Sequence, residues 1–152
     1  MYARINLAHT NYNADKLGIN AKKLRDPDTD ELDKIYRAYV EYKNFSSVMP
    51  LFKEEYTYQQ SDVFGYYDEN KLVAFTLCFR YNDRNIAANQ FAWTYHKPEL
   101  RLGITSLKWL CAYYKFRCYD YIYLGDDTAY KQQLAGVEVL GKLGTFTQYM
   151  QI

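Results

Sequence analysis

"PELRLGITSLKWLCAYYKFRCYDYIYLGDD", residues 98–127, is the stretch on which the fold turns. Pro98 ends whatever strand precedes it, because a proline cannot donate to a ladder of strand hydrogen bonds. From Leu102 to Arg117 the residues read as a helix: Leu107, Trp109, Leu110, Ala112, Tyr113 and Phe116 spread over most of its surface, while Lys108 and Lys115 share one face. So wide an apolar surface predicts a helix packed on a sheet. Asp120 to Leu124 then reads as a strand ending in the turn Gly125-Asp126-Asp127. A strand, a helix and a second strand in this order predict a parallel pair joined by a crossover.

Upstream, residues 62–96 read as a three-stranded antiparallel meander. Its strands are Asp62 to Tyr67, Leu72 to Tyr81 and Ile86 to His96, joined by the polar turns Asp68-Glu69-Asn70 and Asn82-Asp83-Arg84-Asn85. In the middle strand, alternation puts Val73, Phe75, Leu77, Phe79 and Tyr81 on one face and Leu72, Ala74, Thr76, Cys78 and Arg80 on the other. Both sets carry apolar residues, so the strand is expected to be covered on both sides. Before the meander, Asp28 with Glu31 three residues later forms a helix-start signal, and Leu32, Ile35, Tyr36, Tyr39 and Val40 follow at helical spacing, predicting a helix over 29–43. Residues 51–60, after Pro50, read as a second helical or irregular piece. Residues 1–27 read as a lead-in with one candidate strand, at Tyr2 to Leu7, and the main domain spans 28–152.

Downstream of Asp127, which can cap it, a short helix is expected from about Thr128 to Ala135, stopped by Gly136. Residues 137–149 are read as one or two closing strands. The whole predicts a single α/β domain with a mixed sheet, an antiparallel meander followed by a parallel strand-helix-strand unit.

Composition narrows the function only a little. With 152 residues, 49% hydrophobic and 24% charged, the chain suits one folded domain with a real core. A net charge of +1 gives no global field for gripping a polyanion. The start of the sequence shows no apolar signal core, and no apolar run approaches a membrane span. A cytoplasmic protein with no membrane partner is therefore expected, in the host cytoplasm if virus-encoded. Cys78, Cys111 and Cys118 form no CxxC pair, so buried thiols are expected rather than disulfides or a metal site. There is no HExxH, phosphate-binding P-loop or nucleophile elbow. Tyrosine, at 18 residues, is enriched. It suits strands and half-wet pockets, having an apolar body and a polar tip.

The element order resembles the GCN5-related N-acetyltransferase fold. The second half, in Leu102-Gly103 with Ser106, in Tyr123-Leu124-Gly125 and in Tyr130-Lys131, resembles the C-terminal domain of the aminoacyl-tRNA–protein transferases of arginyl and leucyl type. The resemblance implies an acyl- or aminoacyltransferase. Its donor would be an acyl-CoA or an aminoacyl-tRNA, and its acceptor an amine on a protein, peptide or small molecule. Leu100-Arg101-Leu102-Gly103-Ile104-Thr105 departs from the acetyl-CoA loop Q/R-x-x-G-x-G/A at its first and last positions, which weighs against acetyl-CoA. Two other readings stay open: a DNA- or nucleobase-modifying protein of phage type on the same fold, with tRNA or DNA as partner, and a binding or structural protein that kept the fold without the chemistry.

Site residues follow from where such a sheet opens, outside the carboxyl ends of parallel strands that part. Backbone amides at Leu102, Gly103, Ile104 and Thr105 can hold an anionic donor group. Asp126 or Asp127 can take a proton from the attacking amine, Tyr130 can protonate the leaving group, and His96 is a candidate proton shuttle. Trp93, Tyr95, Tyr123, Lys131 and Glu138 are expected to contact substrate. Plainer readings stand beside these: a glycine easing a tight loop, an N-cap and a solvated turn at the two aspartates, packing tyrosines, a solvated lysine and a capping histidine.

Overall fold

Helix α1 spans Thr29–Lys43, as its capping signal predicts: Asp28 Oδ1 accepts from the amides of Asp30 and Glu31 at 3.1 and 3.3 Å. Leu32, Ile35 and Val40 make its buried stripe, and Asn44 closes it in the left-handed conformation. The computed structural model describes residues 2–44, 50–94, 97–126 and 129–141. Within these the predicted meander is β3 (Ser61–Asp68), β4 (Lys71–Arg80) and β5 (Asn85–Trp93), followed by α2 (Leu102–Phe116) and β6 (Tyr121–Asp126). The piece at 51–60 contains a 3-10 turn, Lys53–Thr57, and the short helix after β6 is also 3-10, Ala129–Gln133.

The first 27 residues contribute more than one strand. They supply β1 (Tyr2–Asn6) and β2 (Asn20–Leu24), and with the closing strand β7 (Val137–Gly141) the sheet has the order β2-β3-β4-β5-β6-β1-β7. β1 lies between β6 and β7 and runs antiparallel to both. Gly136 makes that approach feasible: at φ 76° it brings its carbonyl to the Asn6 amide at 2.8 Å, and a side chain's first carbon there would meet the Asn6 carbonyl oxygen at 2.5 Å.

Two cores flank the sheet. On one face α2 buries Leu110, Cys111 and Tyr114 against Ile5, Phe64, Ile86 and Ile122; on the other α1 buries Leu32 and Ile35 against Val63, Phe75 and Leu77. β4 is thus covered on both sides, as its composition requires. Val73 departs from the predicted alternation, packing on the α2 side while Phe75 and Leu77 pack under α1. The cause is a bulge: Tyr66 pairs with Ala74 and Tyr67 with Leu72, leaving Val73 as the extra residue that shifts the facing of its strand. The far end of α2 is fastened by a buried hydrogen bond, Tyr114 hydroxyl to Asp62 Oδ2 at 2.8 Å, while Lys23 and Arg80 sit 3.2 and 3.4 Å from the other carboxylate oxygen.

Candidate functional site

β5 and β6 are the one parallel pair in the sheet of described residues, and their pairing is short. It runs through Asn85–Tyr121, Ile86–Ile122 and Ala87–Tyr123 and then stops, although both strands continue. The reason lies in β5, where Leu77 of β4 pairs with Gln90 and Cys78 with Ala88, so Asn89 is a bulged residue just past the last β6 pair. A bulge bends its strand and adds twist. From there β5 follows β4 while β6 follows β1 as far as the pair Tyr2–Asp126. The parting of their pairing makes a V between the carboxyl-terminal parts of β5 and β6, at the edge where the sequence reading expects a ligand crevice.

The start of α2 stands after this opening. Arg101, its N-cap, adopts φ 49° and ψ 47° and provides no side-chain cap, its amide bonding to the Pro98 carbonyl. The intrahelical bonds begin with the Thr105 amide on the Arg101 carbonyl at 3.0 Å. The amides of Leu102, Gly103 and Ile104 therefore have no capping side chain among the described residues, and with the helix dipole they favour an anion. The side chains of Leu102 and Ile104 are buried in the α2 core, so only their backbones can serve. A carbon added at Gly103 would meet no atom within 4 Å, so the side-chain position of this residue is open. Thr105 turns its hydroxyl toward the Leu100 carbonyl, at 3.5 Å, rather than outward.

Other expected site residues divide into three groups. Lys131 comes to the carboxyl end of β6, its Nζ donating to the Leu124 carbonyl at 3.1 Å, and Arg101 reaches Gln133 of the same 3-10 turn at 3.4 Å, so this turn is drawn toward the α2 start. Trp93 ends β5 and packs against the α2-side core. Tyr123 and Glu138 are engaged elsewhere: on the face away from α2, Arg4 donates from Nε to Glu138 at 2.8 Å and from a terminal nitrogen to the Tyr123 hydroxyl at 3.3 Å. Burial opposes the charge on Arg4, but these two bonds outweigh it and hold the guanidinium above its ordinary value. Tyr95, His96 and Asp127 lie outside the described residues, as do the side chains of Asp126 and Tyr130. Arg4 was the residue missed by sequence reasoning. Nothing local marks it, since its partner Glu138 is 134 positions away.

Cys78 and Cys111 are buried as expected, and burial pushes Cys111 up to about 12 and raises Cys78 well above its ordinary value; Cys118, just past the end of α2, is exposed, against the expectation of a buried thiol. No group of three or more His, Cys, Asp or Glu suited to a metal occurs among the described residues. No helix among them is long and apolar enough to cross a membrane.

The chain matches no protein-family model and no curated protein. It does match solved structures. The C-terminal domain of a protein named as a lysylphosphatidylglycerol synthetase, from Agrobacterium fabrum, superposes with a TM-score of 0.63 at 14% identity, covering 82% of this chain and 45% of that one. A GCN5-related N-acetyltransferase from Kribbella flavida gives 0.58 at 11% identity, covering 90% and 52%. An aminoglycoside acetyltransferase from an uncultured soil metagenome, in complex with sisomicin, gives 0.50 at 11% identity, covering 92% and 91%. This chain has the GCN5-related N-acetyltransferase fold. It spans about half the length of the first two structures.

Proposed function

We propose that this protein transfers an acyl or aminoacyl group to an amine. The observation that carries the reading is the V between β5 and β6, opened by the bulge at Asn89 next to a helix start whose first amides have no side-chain cap. Neighbours of the same fold include a lysylphosphatidylglycerol synthetase domain and an aminoglycoside acetyltransferase, in keeping with acyl or aminoacyl transfer to a nucleophile. In this reading the amides of Leu102, Gly103 and Ile104 hold a phosphate or other anionic part of the donor, with Lys131 adding positive charge at the neighbouring strand end.

The chemistry then needs few groups. The amine nitrogen attacks the donor's carbonyl carbon, a C–N bond forms, and the bond from that carbon to the donor's sulfur or oxygen breaks. Asp126 or Asp127 takes the proton that the nitrogen sheds, Tyr130 returns one to the leaving thiolate or alkoxide, and His96 is the alternative carrier. Trp93 and Tyr95 border the acceptor. A second reading, a binding protein on the same fold without turnover, draws on one observation: Tyr123 and Glu138, expected at the substrate, are tied to Arg4.

Thermal unfolding with acetyl-CoA, longer acyl-CoAs and aminoacyl-tRNA tests the donor site. A donor at a hundred times its Kd stabilises by about 2.7 kcal/mol, enough to move the midpoint by several degrees. One donor should give that shift in the native protein and none in Gly103→Trp. No shift with any donor overturns the transferase reading. A shift without product on any amine favours the second one.

A further inference from the structure

At the other end of β5 and β6, on the face away from α2, lies a pocket of about 460 Å³. The alternation of the strands sets its face: Ile5 and Ile122 point into the α2 core, so Arg4 and Tyr121 point the other way. Helix α1 packs over β4 and β5, and none of its residues lines the pocket, which lies at the starts of β5 and β6 and against Arg4 of β1. Tyr121 and Tyr123 form its wall together with Arg4, Arg84, Asp83 and Asp120.

The groups in this wall are held by bonds among themselves and, at Arg4, by Glu138. The Arg4 guanidinium lies 3.8 Å over the Tyr121 ring and is anchored through Nε by Glu138, which is not part of the lining. The turn that carries Asp83 and Arg84 is locked by Asn82, whose side-chain oxygen accepts from the Arg84 amide, the Asn85 amide and the Asn85 side chain at 2.8, 2.9 and 3.1 Å. The Arg84 carbonyl accepts from the amides of Asp120 and Tyr121 at 2.9 and 3.3 Å, pinning the turn to the start of β6. Asp120 also binds the Arg84 Nε through its carboxylate. Asp83 has no ion-pair partner among the described residues. Three separate segments thus converge on a surface pocket of ligand size, whose backbone frame is fixed by the Asn82 turn and by its bonds to the start of β6.

We propose that this pocket binds a small zwitterion, a molecule carrying both an ammonium group and a carboxylate or phosphate. The wall carries both signs, the guanidinium groups of Arg4 and Arg84 and the carboxylates of Asp83 and Asp120, with Glu138 bonded to Arg4 from behind, so a ligand of one sign cannot satisfy both sets. A zwitterion satisfies both signs: its anionic oxygens take the terminal N–H groups of Arg84, whose Nε is held by Asp120, its ammonium takes Asp83, and its carbon skeleton lies along the edge of Tyr121. The site lies at the strand ends opposite the V and does not depend on what the V holds.

Calorimetric titration tests it with glycine, lysine and phosphoethanolamine as zwitterions, and with putrescine, acetate and inorganic phosphate as single-sign controls. At least one zwitterion should bind while the controls bind at least tenfold more weakly. Arg84→Ala and Asp83→Asn, both on an exposed turn, should each weaken that zwitterion at least tenfold. Neither should alter the thermal shift given by an acyl donor, which separates this site from the V. Amino acids binding and phosphoethanolamine failing would assign the carboxylate class, and the converse the phosphate class. The proposal is overturned if no zwitterion binds, if putrescine or acetate binds as well, or if both variants bind as the native protein does.

Discussion

Arg101 turns the chain into α2 from the left-handed region, a conformation that costs a non-glycine residue roughly 1–2 kcal/mol. Its long contact to Gln133 is exposed and recovers little of that. Arg101→Gly should therefore stabilise the protein by about 0.5–1 kcal/mol, after the greater freedom of glycine in the unfolded chain is set against the relief of strain. A urea titration decides, and a loss of stability would mean that the arginine makes contacts worth more than its strain. Gly103 and Gly136 should behave oppositely. Gly103→Ala places its new carbon in open space on a helix and should be neutral or stabilising by about 0.5 kcal/mol. Gly136→Ala combines a left-handed φ of 76° with a carbon 2.5 Å from the Asn6 carbonyl oxygen, and should cost about 3 kcal/mol. Equal melting temperatures for these two variants would show that β1 can move away from Gly136.

Between elements, what holds α2 at its carboxyl end is a hydrogen bond to a buried charge. Asp62 is 3% exposed, and among the described residues the Tyr114 hydroxyl is its one short neutral donor beside the cations Lys23 and Arg80. Tyr114→Phe keeps the ring contacts with Phe64 and Tyr119 and removes only that donor, so it should cost about 2 kcal/mol in a denaturant titration. Elements of this size were legible in the sequence wherever periodicity is local. Asp28 and the stripe from Leu32 to Val40 gave α1 to the residue, and the apolar wrap of Leu107 to Phe116 gave α2. The bulges at Val73 and Asn89 were not legible, because an added residue changes which face follows without changing the composition. The V was expected from strand and helix order, while its physical cause, Asn89, was invisible. Nor could local pattern place β1 between β6 and β7, since that pairing joins residues at opposite ends of the sequence.

The tyrosine enrichment acquires a meaning at the scale of the whole molecule. Tyr66, Tyr114 and Tyr123 are among its largest fully buried side chains, and each has its hydroxyl tied, to Thr76, Asp62 and Arg4 respectively. They are core residues with a satisfied polar tip. That design carries a dependence on pH. Burial raises the phenols of Tyr56, Tyr66 and Tyr114 above their ordinary value of 10.0, and the thiols of Cys78 and Cys111 above 9.0. Each group thus keeps its proton in the folded state at pH values where the unfolded chain gives it up. The folded state then binds more protons, so stability must fall as pH rises. The stabilisation is complete below about pH 8.5, where both states are protonated. Above the ordinary thiol value and then the ordinary phenol value, each such group removes stability at about 1.4 kcal/mol per pH unit until its folded-state value is reached. Urea midpoints should hold steady from about pH 7 to pH 8.5 and drop steeply by about pH 10.5. Tyr66→Phe, lacking one of the phenols, should lose stability less steeply over the same interval. A midpoint unchanged up to about pH 11 would mean that these hydroxyls ionise in the folded protein as easily as in water, and that the core is open to solvent where the structure closes it.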